Sequence, residues 1–165
     1  MKNKKMEAWP SSRLKYVATI NDEALPENTD PNMEISYLDI GNVNSNGIAE
    51  PPATYLFSDA PSRARRKVKN GDVIVSTVRT YLQAIAPIEN PSENLIVSTG
   101  FAVVRPKPSK LNMSFCKYAL RETTFLAEVQ MRSVGVSYPA INSSDLGNIS
   151  LKIPIPETQR RIATY

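Results

Sequence analysis

Between residues 34 and 106 apolar positions recur in short β-like runs separated by turn formers. EISYLDI (34–40) alternates, with Ile35, Tyr37 and Asp39 on one face and Ser36, Leu38 and Ile40 on the other. It is bounded by PENTDPN and GNVNSNG, both rich in residues that favour turns. ATYLF (53–57) follows Pro51-Pro52, and DVIVSTV (72–78) follows Asn70-Gly71, a strong turn signal. LQAIAPI (82–88) and LIVSTGFAVVRP (95–106) complete the β portion, with Gly100 marking a bulge or a turn.

From Leu111 the period becomes helical. Phe115, Ala119 and Leu120 are spaced for one helix face behind Asn112 and Ser114 as caps. Phe125, Leu126 and Val129 continue it beyond Thr123-Thr124, a potential break, so helices are expected over 112–131. SVGVSYPAIN (133–142) reads as strand-like, SSDLGN (143–148) as a capped turn and LKIPIP (151–156) as a short strand. Pro156 and Glu157 open a further helix, which is still running at Tyr165. That pattern predicts a chain cut at a helix leading elsewhere, and the initial Met favours an N-terminal piece.

The chain has 165 residues, 41% hydrophobic and 22% charged, which fits one domain with a sizeable core. No apolar run is long enough for a membrane helix, and MKNKKMEAWP has no apolar signal core. One cysteine, Cys116, permits no internal disulfide and fits a reducing, cytoplasmic setting. It lies on the apolar side of the expected helix and is expected to be a buried thiol.

The complete absence of histidine removes Ser-His-Asp and Cys-His catalysis and imidazole metal sites. Neither GxGxxG nor GxxxxGK[ST] occurs, so there is no glycine-rich phosphate loop. Glu50-Pro51-Pro52-Ala53 has the wrong first and last residues for an amino-methyltransferase loop. No Asp/Glu-x-Lys follows Asp72, and Glu89 and Glu93 have no lysine near them in sequence, so a metal nuclease is poorly supported.

Charge is unevenly spread. Residues 16–62 contain eight acids and no Lys or Arg, whereas residues 63–165 contain fifteen Lys/Arg and seven acids. Such asymmetry suits electrostatic steering of a charged partner, or an acidic stretch that folds over a basic one. Arg63, Arg65, Arg66, Lys67 and Lys69 form one basic cluster. Arg105, Lys107, Lys110, Lys117 and Arg121 form a second. Both suit phosphate contacts, and both are equally compatible with solvated loops.

Arg79, Thr80 and Tyr81 lie between two expected strands, at the rim of a sheet. Arg can bond guanine O6 and N7, and Tyr can stack or bond phosphate. The same positions also suit a solvated Arg79 and a packed Tyr81. Arg132, Ser137 and Tyr138 carry the same two readings, while Tyr37 and Tyr55 are read as strand core.

NGDVIVSTVRTY (70–81), LIVSTGFAVVRP (95–106), SVGVSYPAIN (133–142) and ISLKIPIPETQRRIA (149–163) occur in that order, after SRLKYVATI (12–20). Over residues 10–165 this resembles one target recognition domain of the specificity subunit of a type I restriction–modification system. The resemblance implies sequence-specific binding to double-stranded DNA, one half of a bipartite target being read by each recognition domain. It implies no catalysis and no cofactor bound by this chain. Modification (methyltransferase) subunits would use S-adenosylmethionine, and restriction subunits would use ATP. Residues 1–155 would form the recognition domain and 156–165 the beginning of a spacer helix.

The expected fold is α+β, a twisted and mainly antiparallel sheet with peripheral helices. Arg63, Arg65, Arg66, Lys67 and Lys69 are phosphate candidates. Arg79, Tyr81, Arg132 and Tyr138 are candidates for base reading or backbone contact. About five neutralised phosphates would give a log affinity–log salt slope near −4 to −5. Two rivals remain at this level. One is the recognition part of a fused restriction–modification enzyme; the other is a protein-interaction module with bipolar charge.

Overall fold

The computed structural model describes residues 8–164. Its chain runs through β1 (Ser11–Arg13), α1 (Leu14–Val17), β2 (Ala18–Ile20), β3 (Glu34–Leu38), β4 (Val43–Asn44), β5 (Gly47–Ile48) and β6 (Ala53–Leu56). Next come β7 (Ala64–Lys67), β8 (Val73–Ser76), β9 (Ile85–Pro87), β10 (Leu95–Ser98) and β11 (Phe101–Pro106). The remainder is α2 (Met113–Ala119), α3 (Thr123–Met131), α4 (Ser143–Gly147), β12 (Ser150–Lys152) and α5 (Pro156–Ala163).

The α+β class expected from the sequence holds, but the strands divide between two four-stranded sheets. One has the order β2-β11-β8-β9 and is antiparallel throughout. The other has the order β6-β3-β10-β7, and its β10–β3 pair is parallel. Two small pairs, β1-β12 and β4-β5, complete the strands.

Strand alternation builds the layers directly. Val73 and Val75 of β8, with Ala102 and Val104 of β11, face the helices and meet Leu120, Phe125 and Ile149. Ile74, Phe101 and Val103, on the other face, meet Leu38 and Val97 of the second sheet. Both strands are buried on both sides and accordingly read as continuous apolar runs. Ile35, Tyr37 and Ile96 form a third cluster on the far side of the second sheet. The alternation expected for 34–40 is therefore real, and Tyr37 packs edge-on against Tyr55 at 6.2 Å.

The break expected near Thr123-Thr124 is present: α2 ends at Ala119, and α3 starts afresh with Glu122 accepting from the backbone of Thr124 and Phe125. Asn112 caps α2 by accepting from Phe115 N at 3.0 Å. Contrary to expectation, the strand-like stretch 133–142 forms no strand; it is a loop closed by two isolated bridges, Val134 with Ala140 and Val78 with Ala140. Gly135 at φ +115 makes that loop tight, and a Cβ there would lie 3.1 Å from the Tyr138 carbonyl oxygen.

Cys116 is fully buried among the helices, where desolvation pushes its thiol pKa up to about 12. Helix α5 docks through Gln159, itself only 1% exposed. Gln159 Oε1 accepts from Asn112 N at 2.7 Å, and Nε2 donates to the carbonyls of Lys110 and Pro154 at 3.1 and 2.9 Å.

Candidate nucleic-acid interface

The turn Thr99–Gly100, where the chain passes from β10 to β11, joins two exposed regions. On one side Arg63 accepts through its carbonyl from Thr99 N at 2.9 Å. On the other, Thr77 donates to the Gly100 carbonyl through N at 2.9 Å and Oγ1 at 2.8 Å. The basic stretch 63–69 and the loop 77–82 are thereby anchored to one turn.

The loop 77–82 is locked to the loop 133–140. Ile141 N donates to Thr77 O at 2.9 Å, and the Thr80 and Ser133 hydroxyl oxygens are 2.6 Å apart. Ser133 Oγ donates its hydrogen to Val129 O at 2.6 Å, so Thr80 is the donor to Ser133. Arg79 stands at φ 46 and ψ 51, a left-handed backbone that non-glycine residues adopt at a cost. Its guanidinium lies 4.9 Å from the centroid of the Tyr138 ring. Two of the sequence-predicted residues from separate loops are thus brought into one contact.

Around that contact the surface is apolar and aromatic. Tyr81, Leu82, Val134, Val136 and Tyr138 are all exposed, with Val136 at 101%. Arg132 lies close in sequence to this platform, but its Nε donates to Glu128 Oε2 at 3.1 Å one helical turn away. Its charge is therefore partly answered within α3.

The 63–69 cluster does not form a single cationic row, because β7 sends alternate side chains to opposite faces. Arg63 and Lys67 are exposed. Arg65 stacks over Phe57 at 4.6 Å, and its Nη1 donates to the Ala64 carbonyl. Arg66 is half-buried, with a buried Nε that has no hydrogen-bond partner among the described residues. Its Nη2 donates to Thr99 O at 3.3 Å, and burial holds its guanidinium below the usual pKa. Lys69 Nζ pairs with Glu23 at 3.3 Å. Three members of the second basic cluster are used internally: Arg105 binds Asp72 and Glu23, Lys117 binds Glu89, and Arg121 donates to Ile85 O.

Thr80, Ser133 and Val136 escape a search for charged and aromatic residues. The one signal in the sequence is the pairing of small hydroxyls and an apolar residue with Gly135 in a turn-forming segment. Among the described residues, no three carboxylates or thiols gather to hold a metal ion, and no helix is long and apolar enough to cross a membrane.

The HsdS subunit from Thermoanaerobacter tengcongensis, a crystal structure, superposes with a TM-score of 0.82 and 31% identity, over 96% of this chain and 41% of its own. A type I S subunit from M. genitalium shares the fold at a TM-score of 0.64, with 14% identity over 99% of this chain and 39% of its own. The HindI specificity subunit of Haemophilus influenzae is 26% identical over 159 residues, 95% of this chain. This chain spans 34% of the length of that relative. The profile of the type I restriction modification DNA specificity domain matches residues 6–165, and the chain belongs to that family.

Proposed function

We propose that this chain reads one half of a bipartite target in double-stranded DNA through the joined loops 77–82 and 133–140. The observation that carries the reading is the Arg79–Tyr138 contact, 4.9 Å from guanidinium to ring centroid, on a platform pinned from beneath by Thr80 and Ser133. An arginine steadied on an aromatic ring keeps its donors available for O6 and N7 of guanine. Tyr81 and Tyr138 add exposed rings for stacking or phosphate contact. Arg63, Arg65 and Lys67, anchored to the same Thr99–Gly100 turn, bind phosphates and set register.

By likeness to the specificity subunits, this chain performs no chemistry in the cytoplasmic complex. It positions modification subunits that use S-adenosylmethionine and restriction subunits that use ATP. Residues up to 155 act as the recognition domain, and α5 begins the spacer helix. Its docking through Gln159 would fix the direction in which that helix leaves.

Selection from a library of random duplexes tests the proposal. One short sequence should be enriched by the wild-type chain. Arg79→Ala should abolish that preference, whereas Lys67→Ala should weaken retention of all duplexes alike. Retention of random DNA and heparin with equal strength, with no sequence enriched, would overturn it in favour of a polyanion- or protein-binding module.

A further inference from the structure

We infer that the tip of the 133–140 loop, led by Val136, reads the C5-methyl group of a thymine in the major groove. The inference rests on the DNA-recognition reading above and adds the chemistry of one base.

Val136 is 101% exposed, so its side chain contributes nothing to the core. Val134 beside it is 79% exposed. An apolar tip on a slack loop could fold back onto the protein, but this loop is held open. Val134 and Ala140 exchange backbone hydrogen bonds at 2.9 and 3.0 Å across its base. Gly135 packs its backbone against Tyr138 closely enough that a Cβ would meet the Tyr138 carbonyl at 3.1 Å. Thr80 and Ser133 then fix the base of the loop to its neighbour. The chain thus presents a rigid, narrow apolar point.

The charge around the tip selects its partner. Loops 77–82 and 133–140 contain no Asp or Glu, and Arg79 of the first stacks on Tyr138 of the second. A cation beside an exposed aliphatic point matches a groove walled by phosphates. Within that groove the one aliphatic group on any base edge is the pyrimidine C5-methyl. A valine has two methyls to set against it and no polar atom to mismatch. Thymine carries this methyl in ordinary DNA; 5-methylcytosine is the other carrier.

The test uses the full chain and three random-duplex pools. One contains thymine, one contains uracil in its place, and one contains uracil together with 5-methylcytosine for cytosine. Losing one buried methyl contact should lower retention of the enriched sequence about three- to fivefold in the uracil pool. Val136→Ser, at a position with no folding role, should retain the first two pools equally while keeping its Arg79-dependent preference. The third pool should be retained no better than the second; recovery there would show that any pyrimidine C5-methyl suffices and overturn the assignment to thymine. Equal retention of all pools by the wild-type chain, with one sequence still enriched, would overturn this inference alone. Enrichment of no sequence in any pool would overturn the underlying DNA reading with it. If Val136→Ser instead changed only the sedimentation of the protein, the tip would be a protein contact and the inference would fall.

Discussion

Arg105 grips Asp72 in a two-point contact, with Nε 3.0 Å from Oδ1 and Nη2 3.0 Å from Oδ2. Asp72 is 1% exposed and also accepts from Lys69 N at 2.7 Å, so one buried carboxylate ties β11 to the turn after the basic strand. Glu23 completes the arrangement through Arg105 Nη1 at 2.7 Å. An arginine that the sequence offers as a phosphate ligand is therefore a structural cation. It draws part of the acidic 16–62 stretch onto the basic half of the chain. Removing one partner of such a buried pair is costlier than the pair is worth. Asp72→Asn should cost about 3 kcal/mol in urea unfolding, and Asp72→Asn with Arg105→Met less than the sum of the two single changes.

The same arrangement gives stability a defined acid dependence. Hydrogen bonds from Arg105 first, and from Lys69 second, hold the Glu23 carboxyl below its ordinary 4.5. With the folded value depressed, the stabilisation is present above pH 4.5 and disappears as pH falls through the folded value. Urea midpoints for wild type and Glu23→Gln should be well separated at about pH 6 and draw together as pH falls below 4.5. Curves that stay parallel throughout would show that the carboxylate has no differential role.

The Thr80–Ser133 link predicts a separation of folding from recognition. Thr80→Val leaves Ser133 without its donor and should cost about 1 kcal/mol, measured by the same unfolding. Thr80→Ser keeps the hydroxyl and should be close to wild type. Selective retention of the enriched duplex should fall in Thr80→Val far more than retention of random duplex, because the two loops lose their fixed spacing. Equal falls for both would place the pair in general stability only.

Much of this fold is visible along the chain, and the parts that are not share a cause. β3 is legible because its alternation matches the faces it buries, Ile35 and Tyr37 opposite Leu38, and β8 and β11 because burial on both faces leaves continuous apolar runs. Pro156 marks the first position of α5. The loop 133–140 misleads because Val134 and Val136 imitate strand periodicity while facing water, and apolar periodicity presumes burial. The parallel β10–β3 pair joins residues far apart in sequence, as do the partners of Arg105, and no local pattern encodes either. The candidate interface was half legible. Arg79 and Tyr138 stand out by residue type, but their meeting depends on the Thr80–Ser133 contact across 53 positions.

Pairing also revises the expected salt dependence of binding. Of the phosphate candidates, Lys69 is engaged with Glu23 and Arg66 is half-buried with one weak bond to Thr99 O. Arg132 is engaged with Glu128. Arg63, Arg65, Lys67 and Arg79 carry no ion pair among the described residues. With Arg79 given to a base, the phosphate ligands Arg63, Arg65 and Lys67 release about three counterions and give a slope of log affinity on log salt of about −2.7, shallower than five would. Titrating fluorescent duplex at several salt concentrations measures it. Lys67→Ala should make the slope shallower by about 0.9, while Lys69→Ala, whose charge already faces Glu23, should leave it almost unchanged. If both substitutions moved the slope equally, the Lys69–Glu23 pair would have to open on binding. The acidic segment around Glu23 would then be displaced by the DNA backbone.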